Sequence, residues 1–86
     1  MLACEDMSGV RVLIAEDNQY NSLALKKMFQ GYRMEVSIAF DGVEAIDSVA
    51  RLLETQQRTF DIVLMDYSMP NCGGNEATRR IRSLID

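Results

Sequence analysis

Apolar positions along the chain fall into segments with two different periods. Val10-Arg11-Val12-Leu13-Ile14-Ala15 and Phe60-Asp61-Ile62-Val63-Leu64-Met65-Asp66 are short, nearly continuous apolar runs. Rich in β-branched residues, they read as strands buried on both faces. A further strand spans Glu35 to Phe40. From about Gln19 to Gly31, Leu25, Met28, Phe29 and Tyr32 recur at helical spacing, with Asn18 as N-cap and Gly31 as stop. Asp41, with Glu44 three residues later, resembles a capping box. It opens a helix to about Gln56 whose apolar stripe is Val43, Ile46, Val49, Ala50 and Leu53. After a loop containing Pro70, Gly73 and Gly74, a third helix carries Ala77, Ile81, Leu84 and Ile85 on one face.

Strands alternating with helices, and covered on both sides, predict the α/β class with a parallel sheet. Right-handed crossovers place the first helix on one face of that sheet. Reversing direction to reach the third strand places the second and third helices on the other. In the doubly wound, flavodoxin-like arrangement the first and third strands are neighbours, so three strands take the order 2-1-3. Ligands then bind beyond the carboxyl ends, where the winding reverses. Glu16 and Asp17 close the first strand and Asp66 closes the third, so the winding turns three carboxylates towards one crevice.

Like charges about 4 Å apart repel by about 4 kcal/mol at an effective dielectric of about 20, so such a cluster either holds protons or recruits a hard cation. Mg²⁺ suits it, since it takes oxygen ligands and is commonly bound by one or two carboxylates with phosphate oxygens. A carboxylate can also be the nucleophile of phosphoryl transfer. Asp66, ending the third strand, is the candidate. The loop Tyr67-Ser68-Met69-Pro70-Asn71-Cys72-Gly73-Gly74 can offer backbone amides to phosphate oxygens. Taken singly, each of these features is ordinary: an acidic pair after a strand is commonly a solvated loop or cap, and Pro with Gly is a loop signal. The joint placement at adjacent strand ends is what points to a site.

Composition removes other classes of function. At 86 residues, 48% hydrophobic and 26% charged, the chain is one folded domain at most, and it buries only roughly 60 to 65% of its unfolded surface. With a net charge of -4 and nine scattered Lys and Arg, apart from Arg79, Arg80 and Arg82, there is no basic stripe. Direct nucleic-acid binding is not expected, and those three arginines read as a solvated helix face. No window approaches the roughly 18 apolar residues of a membrane helix, so no membrane insertion is expected. Residues 1–9 read as a polar, disordered tail unlike a secretory signal. Cys4 and Cys72 make no disulfide framework and read as reduced thiols, hence a cytoplasmic setting. There is no histidine, so any chemistry runs on carboxylates.

At this point the residues resemble a known family, the response-regulator receiver domains. Val12-Leu13-Ile14-Ala15-Glu16-Asp17-Asn18 looks like the family's opening strand with its acidic pair, and Asn18 with Asn21 resembles the subtype attached to hybrid histidine kinases. Ala39-Phe40-Asp41-Gly42-Val43-Glu44-Ala45 is similar to its second strand and helix start. Asp61-Ile62-Val63-Leu64-Met65-Asp66-Tyr67-Ser68-Met69-Pro70 resembles its phosphoacceptor strand, and Gly74 with Glu76-Ala77-Thr78-Arg79-Arg80-Ile81-Arg82 continues the likeness. The resemblance runs from about Val10 to the end, a partial receiver domain over 10–86.

Carried over residue by residue, the resemblance implies that Asp66 accepts a phosphoryl group and that Asp17 is a metal ligand. Glu16 would be a ligand acting through water, the Ser68 backbone carbonyl a further ligand, and Mg²⁺ the cofactor. The donor would be a phosphohistidine on a histidine kinase or histidine phosphotransfer protein, making the chain a phospho-accepting switch rather than an enzyme. Gly73 stands where the family usually has Asp or Asn. The family continues with a fourth and fifth strand, carrying a switch Ser or Thr and a phosphate-clamping Lys, and neither residue can be assigned in this sequence.

A sheet of these three strands alone would leave the third as an edge, bare in part on the face of the first helix. Self-association through it is expected. Without a cationic clamp these residues are expected to bind Mg²⁺ but to be phosphorylated weakly or not at all. The alternative reading is a truncated or pseudo-receiver acting as a non-phosphorylated interaction module. An aspartate-nucleophile phosphatase is disfavoured, since Ser68 stands where such enzymes carry a second Asp.

Overall fold

A computed structural model describes residues 7–66, 69 and 71–85. Six elements alternate: β1 (Arg11–Ala15), α1 (Gln19–Gln30), β2 (Glu35–Ala39), α2 (Gly42–Gln56), β3 (Ile62–Met65) and α3 (Gly74–Ile85). The sheet is parallel with order β2-β1-β3, as the crossover rules require. In register, Ala15 lies beside Ala39 on one side and Met65 on the other, so the strands finish level.

Alternation along β1 divides the core. Leu13 and Ala15 face α2 and α3, where they pack with Ala39, Ala45, Val49 and Ile81. Val12 and Ile14 face the other way, against Met34, Leu25 and Phe29 of the α1 side. β1 is central and apolar on both faces because helices cover both. The outer strands are not enclosed to that degree. Ile62 of β3 remains 36% exposed, and the strand expected to be fully buried is half-buried instead, because it pairs on one side only among the described residues.

Three local readings change. The α2 stripe keeps Val49 buried with Ile46 and Leu53 packed beside it, but Gly42 and Ala45 join it and Val43 is exposed. Small residues let the helix approach the sheet, and the larger Val43 is turned out. At the far end of α3, Leu84 and Ile85 are exposed, whereas Ala77 and Ile81 are buried. Gly31 ends α1 in right-handed geometry, the left-handed residue that follows is Arg33, and Met28 and Tyr32 are exposed.

The tail read as disordered over 1–9 lies mostly outside the described residues, but its last part is tied down. The Met7 N–H donates to the Tyr32 carbonyl (3.0 Å), and Val10 N–H closes a turn on the Met7 carbonyl (3.1 Å). The Met7 side chain packs against the α1-side core. An apolar side chain with somewhere to dock holds that turn.

Candidate metal and phosphoryl site

The acids are placed by the sheet ladder itself. Beyond the last strand pair, Glu16 N–H donates to the Ala39 carbonyl (3.0 Å) and Asp66 N–H donates to the Ala15 carbonyl (2.8 Å). Both backbones are thus final rungs of adjacent ladders, and their side chains emerge together at the carboxyl ends. Carboxylate oxygens of Glu16, Asp17 and Asp66 all lie within 4.8 Å of one another.

Local hydrogen bonds fix the approach to α1. Glu16 Oε2 accepts from Asn18 N–H (3.1 Å). Asn18 Oδ1 in turn caps α1 by accepting from the N–H groups of Tyr20 (2.9 Å) and Asn21 (3.1 Å). One Glu16 oxygen is therefore engaged in orientation and the other stays available. Asp17 is exposed, while Glu16 and Asp66 are half-buried, so solvent screens only part of the mutual repulsion.

Three oxygen donors of this kind fit Mg²⁺. Ligands on opposite sides of a Mg²⁺ ion are about 4.2 Å apart, from a bond length of about 2.1 Å. A spacing of up to 4.8 Å is slightly wider, which suits one carboxylate reaching the ion through water. The fourth expected ligand, the Ser68 carbonyl, lies outside the described residues. So do Tyr67 and Pro70 of the same loop, and Cys4 of the tail.

Two contacts that the chain pattern did not announce hold the loop after Asp66. Asn71 Nδ2 donates to Asp41 Oδ2 (2.6 Å), while Asp41 Oδ1 caps α2 through Glu44 N–H (2.8 Å). A Cβ on Gly42 would lie 2.2 Å from the Cys72 carbonyl oxygen, so this loop rests directly on the first turn of α2. Both hydrogen bonds to Asp41 favour its ionised form, the one from Glu44 most, and hold its pKa below the ordinary value. The capping pair was legible, but its use as a loop anchor was not. Glu44 reaches back to Phe40 N–H (2.8 Å) rather than to Asp41 itself.

A cavity of about 210 Å³ opens beside the acids on the α1 face, lined by Ile14, Leu25, Leu64 and Met65 as well as Glu16 and Asp66. A larger one, about 370 Å³, lies between β2 and α2 at the opposite end of the sheet and includes none of the three acids. The convergence of carboxylates, not cavity size, marks the site.

The sequence model of the response regulator receiver domain matches residues 12–85. The chain belongs to that family. Over 77 residues, 90% of this chain, it is 39% identical to the autoinducer 2 sensor kinase/phosphatase LuxQ of Vibrio vulnificus, and it spans 8% of that protein's length.

Among solved structures, it resembles the receiver domain of the sensor histidine kinase PA1611 from Pseudomonas aeruginosa, crystallised with magnesium coordinated in the active-site cleft. The TM-score is 0.77 at 32% identity, over 88% of this chain and 57% of that one. A second likeness is to the receiver domain of the response regulator Ssk1 from Saccharomyces cerevisiae, solved with the histidine phosphotransfer protein Ypd1. There the TM-score is 0.72 at 27% identity, over 87% of this chain and 48% of that one.

Other sequence-level assignments have a plainer outcome in this receiver domain. Arg79 and Arg80 both pair with Glu76, at 3.1 and 2.9 Å, on the exposed face of α3. They serve the helix surface rather than the acid site. Cys72 is a free thiol. No helix among the described residues is long and apolar enough to cross a membrane.

Proposed function

We propose that this receiver domain is a phospho-accepting switch in a histidine-to-aspartate relay, with Asp66 as acceptor and Mg²⁺ held by Glu16, Asp17 and Asp66, together with the Ser68 carbonyl. The observation that carries it is the meeting of three carboxylates within 4.8 Å at the ends of β1 and β3. In the transfer, an Asp66 carboxylate oxygen forms the new bond to phosphorus. The bond from phosphorus to the donor imidazole nitrogen breaks, and its electron pair stays on the imidazole. Held by these carboxylates, Mg²⁺ would supply positive charge to the phosphoryl oxygens.

The donor is a phosphohistidine on a histidine kinase or a histidine phosphotransfer protein, a partner class supported by the Ypd1–Ssk1 complex. The chain contains no histidine to serve as its own donor. As a stoichiometric acceptor the domain is not a turnover enzyme, and its setting is the cytoplasm, where such donors and Mg²⁺ are met. It needs no nucleic-acid contact.

The test is incubation with a phosphorylated histidine phosphotransfer protein and Mg²⁺, followed by mass spectrometry. A low stoichiometry of hydroxylamine-labile phosphate at Asp66, absent from Asp66→Asn and from samples with chelator, is expected, since no phosphate-clamping Lys is assigned among these residues. Retained Mg²⁺ binding with no label under any donor would sink the acceptor role and leave an interaction module.

A further inference from the structure

The strongest unassigned feature is the bond between Asp41 and Asn71, thirty residues apart in sequence. We propose that Asp41 and Asn71 form a latch that positions the loop following Asp66, so that Asn71 is a positioning residue for the acid site. This rests on the reading of that site as a Mg²⁺ and phosphoryl centre.

Three observations converge on it. The Asp66 N–H donates to the Ala15 carbonyl (2.8 Å), and Asn71, five positions on, donates to Asp41 (2.6 Å), so two described positions around the loop are each held from outside it. Closing a short loop in advance removes conformational freedom that metal binding would otherwise have to remove. Next, Asn71 sits at φ 67, a left-handed conformation that Asn and Asp tolerate better than other residues bearing a Cβ. A side chain both compatible with that backbone and able to donate to a carboxylate is Asn. Finally, Gly42 admits the Cys72 carbonyl against α2, so the loop is seated by packing as well as by the hydrogen bond. Asp41 does two jobs with its two oxygens, capping α2 and receiving the loop.

The test is a Mg²⁺ titration of the 86-residue chain, by calorimetry and by amide chemical shifts, for wild type, Asn71→Asp, Asn71→Gly, Asp41→Asn and the exchanged pair Asp41→Asn/Asn71→Asp. Asn71→Asp faces one carboxylate with another and should weaken Mg²⁺ binding about tenfold, the low end of what loss of outer-shell support costs a metal site. Simple charge attraction predicts the opposite sign, since the variant adds a negative charge. The exchanged pair restores a donor opposite an acceptor, and wild-type affinity is expected to return. Asn71→Gly keeps the left-handed backbone, removes the donor and serves as the check if Asn71→Asp does not fold.

Unchanged affinity in Asn71→Asp or Asn71→Gly, or no rescue in the exchanged pair, overturns the latch alone. Wild type that binds no Mg²⁺ overturns the proposed function, and the latch with it.

Discussion

Asp41 carries more than its position in a cap suggests. Its ionised carboxylate accepts from the backbone of Glu44 and the side chain of Asn71, which lowers its pKa from the ordinary 3.8. A folded-state pKa below the unfolded one means the contribution is present in full above the ordinary value. It fades as pH falls through the folded value. Asp41→Asn keeps an oxygen for the cap but cannot titrate. The stability difference between wild type and Asp41→Asn, measured by urea unfolding, should therefore shrink on acidification below about 4. A pH-independent difference would show that the ionised form is not what the two donors favour. Glu76 is lowered for a related reason, the hydrogen bond from Arg80 first and the charge of Arg79 next, but on an exposed helix face where solvent screens the pair.

At the scale of elements, α2 shows how packing overrides a stripe read from the chain. The pattern placed Val43 inward, yet Gly42, Ala45 and Val49 form the buried line. The first turn of α2 lies against the loop at Cys72, and only a residue with no Cβ fits there. Replacing a helical Gly by Ala ordinarily gains up to about 1 kcal/mol. Here the added carbon would meet a backbone oxygen at 2.2 Å, and overpacking of a closed site costs about 1–3 kcal/mol. The clash wins, so Gly42→Ala is expected to lower the urea midpoint and to move the Asn71 and Cys72 amide resonances. A raised midpoint would mean the loop yields freely.

For the molecule as a whole, the sheet ends on two half-covered strands. β2 and β3 are its outer members, and Ile62 stands partly bare on the α1 face of β3. Exposed apolar residues along an edge strand favour association. We expect the 86-residue chain to self-associate with rising concentration in analytical ultracentrifugation, and Ile62→Lys to reduce it while leaving the circular dichroism spectrum unchanged. Equal association by both proteins would place the contact elsewhere. The same sheet brings the acid site into being, because Glu16 and Asp66 belong to neighbouring strands whose ends are level.

Element order, sheet order and the three acids were legible in the sequence because each depends on local period or on handedness. Apolar runs mark strands, helical spacing marks helices, and right-handed crossovers fix 2-1-3. Glu16, Asp17 and Asp66 could then be placed at strand ends without seeing a contact. Tertiary structure alone decided that Val43 of α2 turns outward while Gly42 and Ala45 turn in, that Met7 docks, and that Asn71 meets Asp41. Those outcomes rest on side-chain size and on pairs distant in sequence, whose free energy depends on how closely two surfaces approach. No periodicity along the chain encodes that distance.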